Sequence, residues 1–252
     1  MIVTTNAVVL RTMRYRETSR IAVLYTRELG KISVIAKGAR DGKSRLGGAL
    51  QPMNLVACVL YVKETRELQL ITQCDLVVPM HALGADLEKM GPAMAALELT
   101  EAVSPPGEPS GEIFDLLAET LRAVSGATKH PGNALYYFEL HLLGLIGFRP
   151  LLTQCASCGK GVETAGEGDL RMSRGGILCR ACSRREPGLE AVSAAALAAL
   201  RRLQESASPA AATHMVLDAP LRGEIARLLR HYLQAHVEGL RTLRSEAVFS
   251  SL

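Results

Sequence analysis

Through the first 80 positions apolar residues alternate with polar ones or gather in short β-branched runs, and beyond them the spacing becomes helical. Segments 7–12, 21–26, 32–36, 55–62 and 68–78 are rich in Val, Ile, Leu and Thr and are predicted as strands. The polar run Lys63-Glu64-Thr65-Arg66-Glu67 separates the last two, and Leu29-Gly30-Lys31 has the length of a tight hairpin. Five short strands in so few residues suit a small closed barrel of the oligonucleotide-binding type. An SH3-like barrel fits nearly as well. Residues 38–48 are glycine-rich and basic without apolar periodicity, which predicts a loop.

Helical spacing predicts a helix over 83–103 with a break near Gly91-Pro92, a loop over 104–111, and helices over 112–124 and 133–147. Residues 148–187 read as irregular. A helix opened by a Ser193 cap is expected over 193–204, a loop over 207–212, and a longer amphipathic helix over 221–243.

The irregular segment carries the most specific chemistry. Cys155-Ala156-Ser157-Cys158 is followed, twenty residues on, by Cys179-Arg180-Ala181-Cys182. Each Cys-x-x-Cys turn aims two sulfurs at one point, and two such turns supply the soft tetrahedral set that Zn²⁺ prefers. A redox dithiol needs one pair at a helix start, not two pairs in a loop. With four sulfur ligands no coordination position is left for water or substrate, so one structural Zn²⁺ is expected. Cys58 and Cys74 lie in apolar strand contexts and are predicted to be buried, inert thiols. The resulting chain is α+β. An oligonucleotide-binding-type barrel occupies residues 1–80, and an α-helical domain, 81–148 and 188–252, carries an inserted four-cysteine zinc module at 149–187.

Charge adds a partner to this picture. The net charge is +4, but residues 1–80 hold twelve Lys/Arg against six Asp/Glu while the remainder holds seventeen against nineteen. Arg11, Arg14, Arg16, Arg20, Arg27, Lys31, Lys37, Arg40, Lys43 and Arg45 face only Glu17, Glu28 and Asp41 across the same stretch. Such a concentration predicts a polyanion partner whose affinity falls with salt. Tyr15, Tyr25 and Tyr61 offer rings for base stacking, although tyrosines in strands are more often core.

Several classes drop out. The loop Gly38–Ser44 has three residues between its glycines where a phosphate-binding loop needs four and a following helix. No His-Glu-x-x-His or Gly-x-Ser-x-Gly pattern occurs, and His231 and His236, five apart, fall on different faces of a helix. No secretory signal or membrane-spanning run is apparent, so a cytoplasmic, nucleoid-associated setting with reduced cysteines is expected. No catalytic site, small-molecule substrate or membrane association is expected. A zinc-ribbon transcription or RNA-binding factor would share the charge and the cysteines.

The order of these motifs resembles the RecO family of bacterial recombination mediators. The likeness is carried by Ala7–Thr12, Tyr15–Arg20, Tyr25–Lys31 and Ala36-Lys37-Gly38-Ala39-Arg40, then by Tyr137–Leu143 leading through Gly147-Phe148-Arg149-Pro150 into Cys155-x-x-Cys158-Gly159 and Gly175–Cys182. It spans residues 1 to about 185. The resemblance implies an oligonucleotide-binding fold, a helical domain and a zinc module, with no catalytic turnover. It further implies binding of single- and double-stranded DNA, annealing of complementary strands, and action with the mediator RecR. Together the two help load the RecA recombinase onto strands coated by single-stranded-DNA-binding protein. On this basis Arg11, Arg14, Arg16, Lys37 and Arg40 are the expected phosphate contacts, joined by Lys43 and Arg45 of the basic loop.

Overall fold

The computed structural model describes residues 1–41, 44–78, 80–162, 170–186, 188–240, 243 and 245. They form two compact units, Met1–Gly126 with Leu243–Leu252, and Ala127–Thr242.

In the first unit β1 (Ile2–Tyr15), β2 (Ser19–Thr26), β3 (Gly30–Ala36), β4 (Leu55–Tyr61) and β5 (Leu68–Val78) close a barrel in the order β1-β2-β3-β5-β4. The β3–β5 seam is parallel, and a short helix α1 (Arg45–Ala49) lies between β3 and β4. This topology is that of the oligonucleotide-binding barrel and removes the SH3-like alternative. Closure leaves no free sheet edge. β1 is much longer than residues 7–12 because its first half pairs with β4 and its second half with β2, with a register shift between Val9 and Arg11 where it turns the corner.

Ala7, Val9, Ala22, Leu24, Val34, Val56, Cys58, Leu60, Ile71 and Cys74 fill the interior. Ala49 and Leu50 of the α1 segment join them. The predicted loop therefore contains a helix whose apolar residues are satisfied by the barrel core and not by their own periodicity. Val8, Leu10, Val23 and Tyr25 point the other way yet are also buried. A strand buried on both faces reads as a continuous apolar run, which is what residues 21–25 show. The outer cover is the segment joining α3 (Leu87–Val103) to α4 (Gly111–Gly126), where Tyr25 Oη donates to the Ser110 carbonyl at 3.4 Å and Gly107 N–H to the Lys31 carbonyl at 3.0 Å. Gly30 at the β2–β3 turn has φ of +65°, and a Cβ there would lie 2.3 Å from the Glu108 carbonyl oxygen. A short helix α2 (His81–Gly84) precedes α3. The expected break at Pro92 is absent, and α3 runs through it. Pro92 falls near the helix start and forfeits one backbone bond, which burial of Gly91, Ala93, Ala95, Ala96, Leu97 and Leu99 outweighs.

The second unit holds α5 (Gly132–Leu145), strands β6 (Leu170–Ser173), β7 (Gly176–Leu178) and β8 (Glu190–Val192), a turn of helix α6 (Arg180–Ser183), and α7 (Ala194–Glu205), α8 (Pro209–Ala212) and α9 (Ala219–His236). The strands form a sheet in the order β7-β6-β8, of which β6 and β7 lie within the stretch predicted as irregular and β8 follows it, ahead of the Ser193 cap. Ser193, Ser208 and Asp218 cap α7, α8 and α9 by accepting from backbone N–H groups. The Ser208 cap and Pro209 make a helical turn of the expected loop at 207–212. α9 begins two residues earlier than predicted, on the Asp218 cap, and stops at Val237 in extended backbone ahead of Gly239 at φ +74°. His231 and His236 do diverge around α9, and each ties it to the sheet. His231 Nδ1 lies 2.8 Å from Glu190 Oε1, and His236 Nε2 donates to the Arg174 carbonyl at 2.8 Å.

Candidate nucleic-acid interface and metal centre

The basic residues of the barrel divide into two groups. On the covered side Arg11 Nε lies 2.7 Å from Glu101 Oε1, and Lys31 Nζ donates to the Glu101 carbonyl at 2.7 Å. Arg27 grips Asp115 with both nitrogens, the Nη2–Oδ2 bond being 2.9 Å, and its guanidinium lies 5.7 Å from the Phe114 ring centre. The Asp115 carboxylate holds Arg27 above its ordinary pKa, whereas burial lowers that of Lys31. These three cations are spent on holding helices to the barrel. Glu101 and Asp115 lie so far along the chain from their partners that no local pattern announces them.

At the other end the charges are free. Arg14 in β1, Arg16 in the β1–β2 turn, Lys37 and Arg40 after β3, and Arg45 at the start of α1 are all exposed. None makes an ion pair with a described residue. The turn and the post-β3 loop are joined, since Arg40 Nη1 donates to the Arg16 carbonyl at 2.8 Å and Arg40 N–H to the Thr18 carbonyl at 3.0 Å. Arg16, Lys37 and Arg40 are thereby gathered together. Arg14 stands opposite Arg20 in the β1–β2 register, and Arg20 Nη1 reaches the Gly47 carbonyl at 3.4 Å. Lys43 lies outside the described residues. In oligonucleotide-binding barrels the β2–β3 face and the β1–β2 and β4–β5 loops receive the strand. Here Val23, Tyr25 and Lys31 of that face are covered, leaving Ile21, Ser33 and Ile35 beside the basic turn. Of the three tyrosines, Tyr25 is core, and burial raises its pKa. Tyr15 and Tyr61 keep accessible rings, with Arg16 5.3 Å from the first and Lys63 5.8 Å from the second. The Tyr61–Lys63 pair was not singled out from sequence, although an aromatic at a strand end followed by lysine signals it.

In the second unit the four cysteines converge. The Sγ atoms of Cys155, Cys158, Cys179 and Cys182 all lie within 4.8 Å of one another, those of Cys158 and Cys179 at 3.9 Å. A tetrahedral sulfur site with metal–sulfur bonds of about 2.3 Å has edges of about 3.8 Å, so the set fits a soft metal ion. Backbone hydrogen bonds fix both turns. Cys155 N–H donates to the Lys160 carbonyl at 2.7 Å, Gly159 N–H to the Cys155 carbonyl at 2.9 Å, and Ser183 N–H to the Cys179 carbonyl at 2.9 Å. Desolvation pushes the Cys155 thiol up, but N–H groups of Cys179, Cys158 and Ser157 aimed at its sulfur bring it down to about 6. Gly176 permits the segment leading to the first turn to approach, because a Cβ there would lie 2.3 Å from the Leu151 carbonyl oxygen. Cys58 and Cys74 are elsewhere, paired across β4 and β5 in the barrel core with sulfurs 3.5 Å apart.

Among the described residues no helix is long and apolar enough to cross a membrane. The family model described as Recombination protein O N terminal matches residues 1–80, and that described as Recombination protein O C terminal matches residues 84–246. The chain is 38% identical over 232 residues to the DNA repair protein RecO of Anaeromyxobacter dehalogenans (strain 2CP-C), covering 91% of this chain and 89% of that protein. It is 32% identical over 259 residues to the DNA repair protein RecO of Chloroherpeton thalassium, covering 100% and 99%. Over 155 residues it is 39% identical to that of Chlorobaculum parvum, covering 62% and 60%.

Proposed function

Because this chain belongs to the recombination protein O family, we propose that it is a non-enzymatic DNA-binding protein of recombinational DNA repair, working in the cytoplasm at the nucleoid. The barrel, residues 1–80, holds single- and double-stranded DNA by its phosphates and anneals complementary strands. The helical segments, 81–148 and 188–252, offer surfaces to the mediator RecR and to single-stranded-DNA-binding protein, so that RecA is loaded onto strands which the latter coats. Residues 149–187 hold one structural Zn²⁺ on the four cysteines, an ion whose chemistry here is to cross-link two turns.

The observation that carries this reading is the joined group of Arg16, Lys37 and Arg40, none ion-paired with a described residue, at the open end of the oligonucleotide-binding face. Arg14, opposite Arg20 in the β1–β2 register, and Arg45 of α1 are further exposed cations. Arg11 contributes less, because Glu101 already neutralises it. Cations held on a backbone scaffold replace the condensed counterions of a phosphate chain, whose release drives binding. Two strands neutralised at the same surface repel each other less, and pairing proceeds without nucleotide hydrolysis.

The double charge reversal Lys37→Glu with Arg40→Glu tests it. Anisotropy titrations of labelled single-stranded DNA against salt should show affinity reduced at least tenfold and a log–log salt slope shallower by about two, roughly one per lost phosphate contact. An annealing assay on naked and protein-coated strands should lose rate in step. Unchanged affinity and slope would remove this surface from the interface.

A further inference from the structure

Beside the basic turn the barrel's outer face carries a cleft. Tyr15 and Ser19 are register partners, as are Ile35 and Ile21, and strand alternation puts Tyr15, Ser19, Ile35 and the following Lys37 on the same outer side. With the β1–β2 turn they enclose an open volume of about 470 Å³, within the range of roughly 300–1,000 Å³ typical of small-ligand sites. The turn is held in an uncommon shape. Arg16 has φ of +52°, and the two hydrogen bonds from Arg40 to the carbonyls of Arg16 and Thr18 fix it there.

The lining is more than a phosphate site requires. It has an aromatic ring with a guanidinium 5.3 Å from its centre, an aliphatic wall in Ile35, and a lysine at the rim. We propose, resting on the DNA-binding reading above, that this cleft takes one unpaired nucleobase of a single strand, stacked on Tyr15, with the adjoining phosphate on Lys37. Aromatic rings stack on every base, and a neighbouring guanidinium adds a cation–π component. The hydroxyls of Thr18 and Ser19 both donate and accept, so the rim imposes no fixed base edge and the site is tolerant of sequence. Glu17, the acidic group in the lining, disfavours a phosphate within the turn and leaves Lys37 as its seat. A base inside a duplex is stacked and paired and is not offered to the cleft. The site thus separates single strands from double strands, where the surrounding cations alone do not.

The test compares an oligothymidylate with an abasic oligomer of equal length and equal phosphate number, binding to the full chain at fixed salt. The oligothymidylate should bind roughly tenfold more tightly, the scale of one base on one ring. Tyr15→Ala should bring the two affinities together, and Tyr15→Phe should keep them apart. Equal affinities for the unaltered chain, a comparison that needs no variant, would overturn the proposal. A Tyr15→Ala protein that retains the full difference would overturn it too. If the unaltered chain binds neither oligomer even in dilute salt, the DNA-binding reading itself fails and takes the base site with it.

Discussion

His141 lies one turn beyond Tyr137 on α5, its ring stacked 3.8 Å from the tyrosine's and its Nδ1–H donating to the Tyr137 carbonyl at 2.8 Å. Burial lowers its pKa and outweighs the opposing effect of that carbonyl, with Arg149 adding to the depression. In the folded chain the imidazole stays neutral to lower pH than in the unfolded chain, which gains a proton as the pH falls past about 6.5. The stability this residue supplies is therefore complete above that pH and is lost progressively below it. Urea denaturation at about pH 7 and about pH 5 should show His141→Gln losing less stability on acidification than the unaltered chain. An identical loss in both proteins would show that the titration lies elsewhere. Residue-scale burial was readable for Cys58, which lies between Ala57 and Val59, and less directly for Cys74, which lies between Gln73 and Asp75 in an otherwise apolar strand. Their pairing across β4 and β5 was not, since it depends on the register of two strands.

For the elements, the clearest signal in the sequence was the four-cysteine set. Ligand type and local spacing are fixed by coordination chemistry, and Cys155, Cys158, Cys179 and Cys182 converge accordingly. The sheet around them was not legible. β6, β7 and β8 are three or four residues each, too short for a periodicity, and they exist because they pair with one another and carry the two turns. The same holds for α1, which the barrel core recruits, and for α3, where the conformational signal of Pro92 is overruled by tertiary burial. This arrangement makes a thiol count informative. If the four cysteines hold zinc as proposed, protein purified without chelator should have four thiols protected by the ion and the other two by the barrel core. A chelator should release four to a thiol reagent, and denaturant the remaining pair. Release of all six by chelator would contradict the sealed core, and release of none, with no zinc in metal analysis, would contradict the zinc site.

Across the whole molecule, the count of basic residues foretold a polyanion partner but not which residues stay free to meet it. Arg11, Arg27 and Lys31 are withdrawn by Glu101 and Asp115, and only the fold shows that Arg16, Lys37 and Arg40 gather at the β1–β2 turn. The first unit is also discontinuous. After the second unit the chain returns, with Leu243 buried and Ser245 N–H donating to Glu98 Oε1 of α3 at 3.1 Å. Replacing Leu243 by Ala should cost about 2 kcal/mol in urea denaturation. Hydrogen exchange should locate the loss in α3 and its neighbours, not in the β6–β7–β8 sheet. Faster exchange confined to the second unit would refute that attribution.

That return of the chain has a consequence for biogenesis. All five barrel strands lie within the first 78 residues, so a nascent polypeptide can close its barrel soon after they leave the ribosome. The helices beside it must wait for the segment that completes them while Ala127–Thr242 is translated, a delay on the order of ten seconds at typical bacterial elongation rates. During that interval the place on α3 where Glu98 receives the Ser245 N–H stands open while the barrel is already closed. The stretch around Leu243 and Ser245, made after the second unit, is a closing piece for the first.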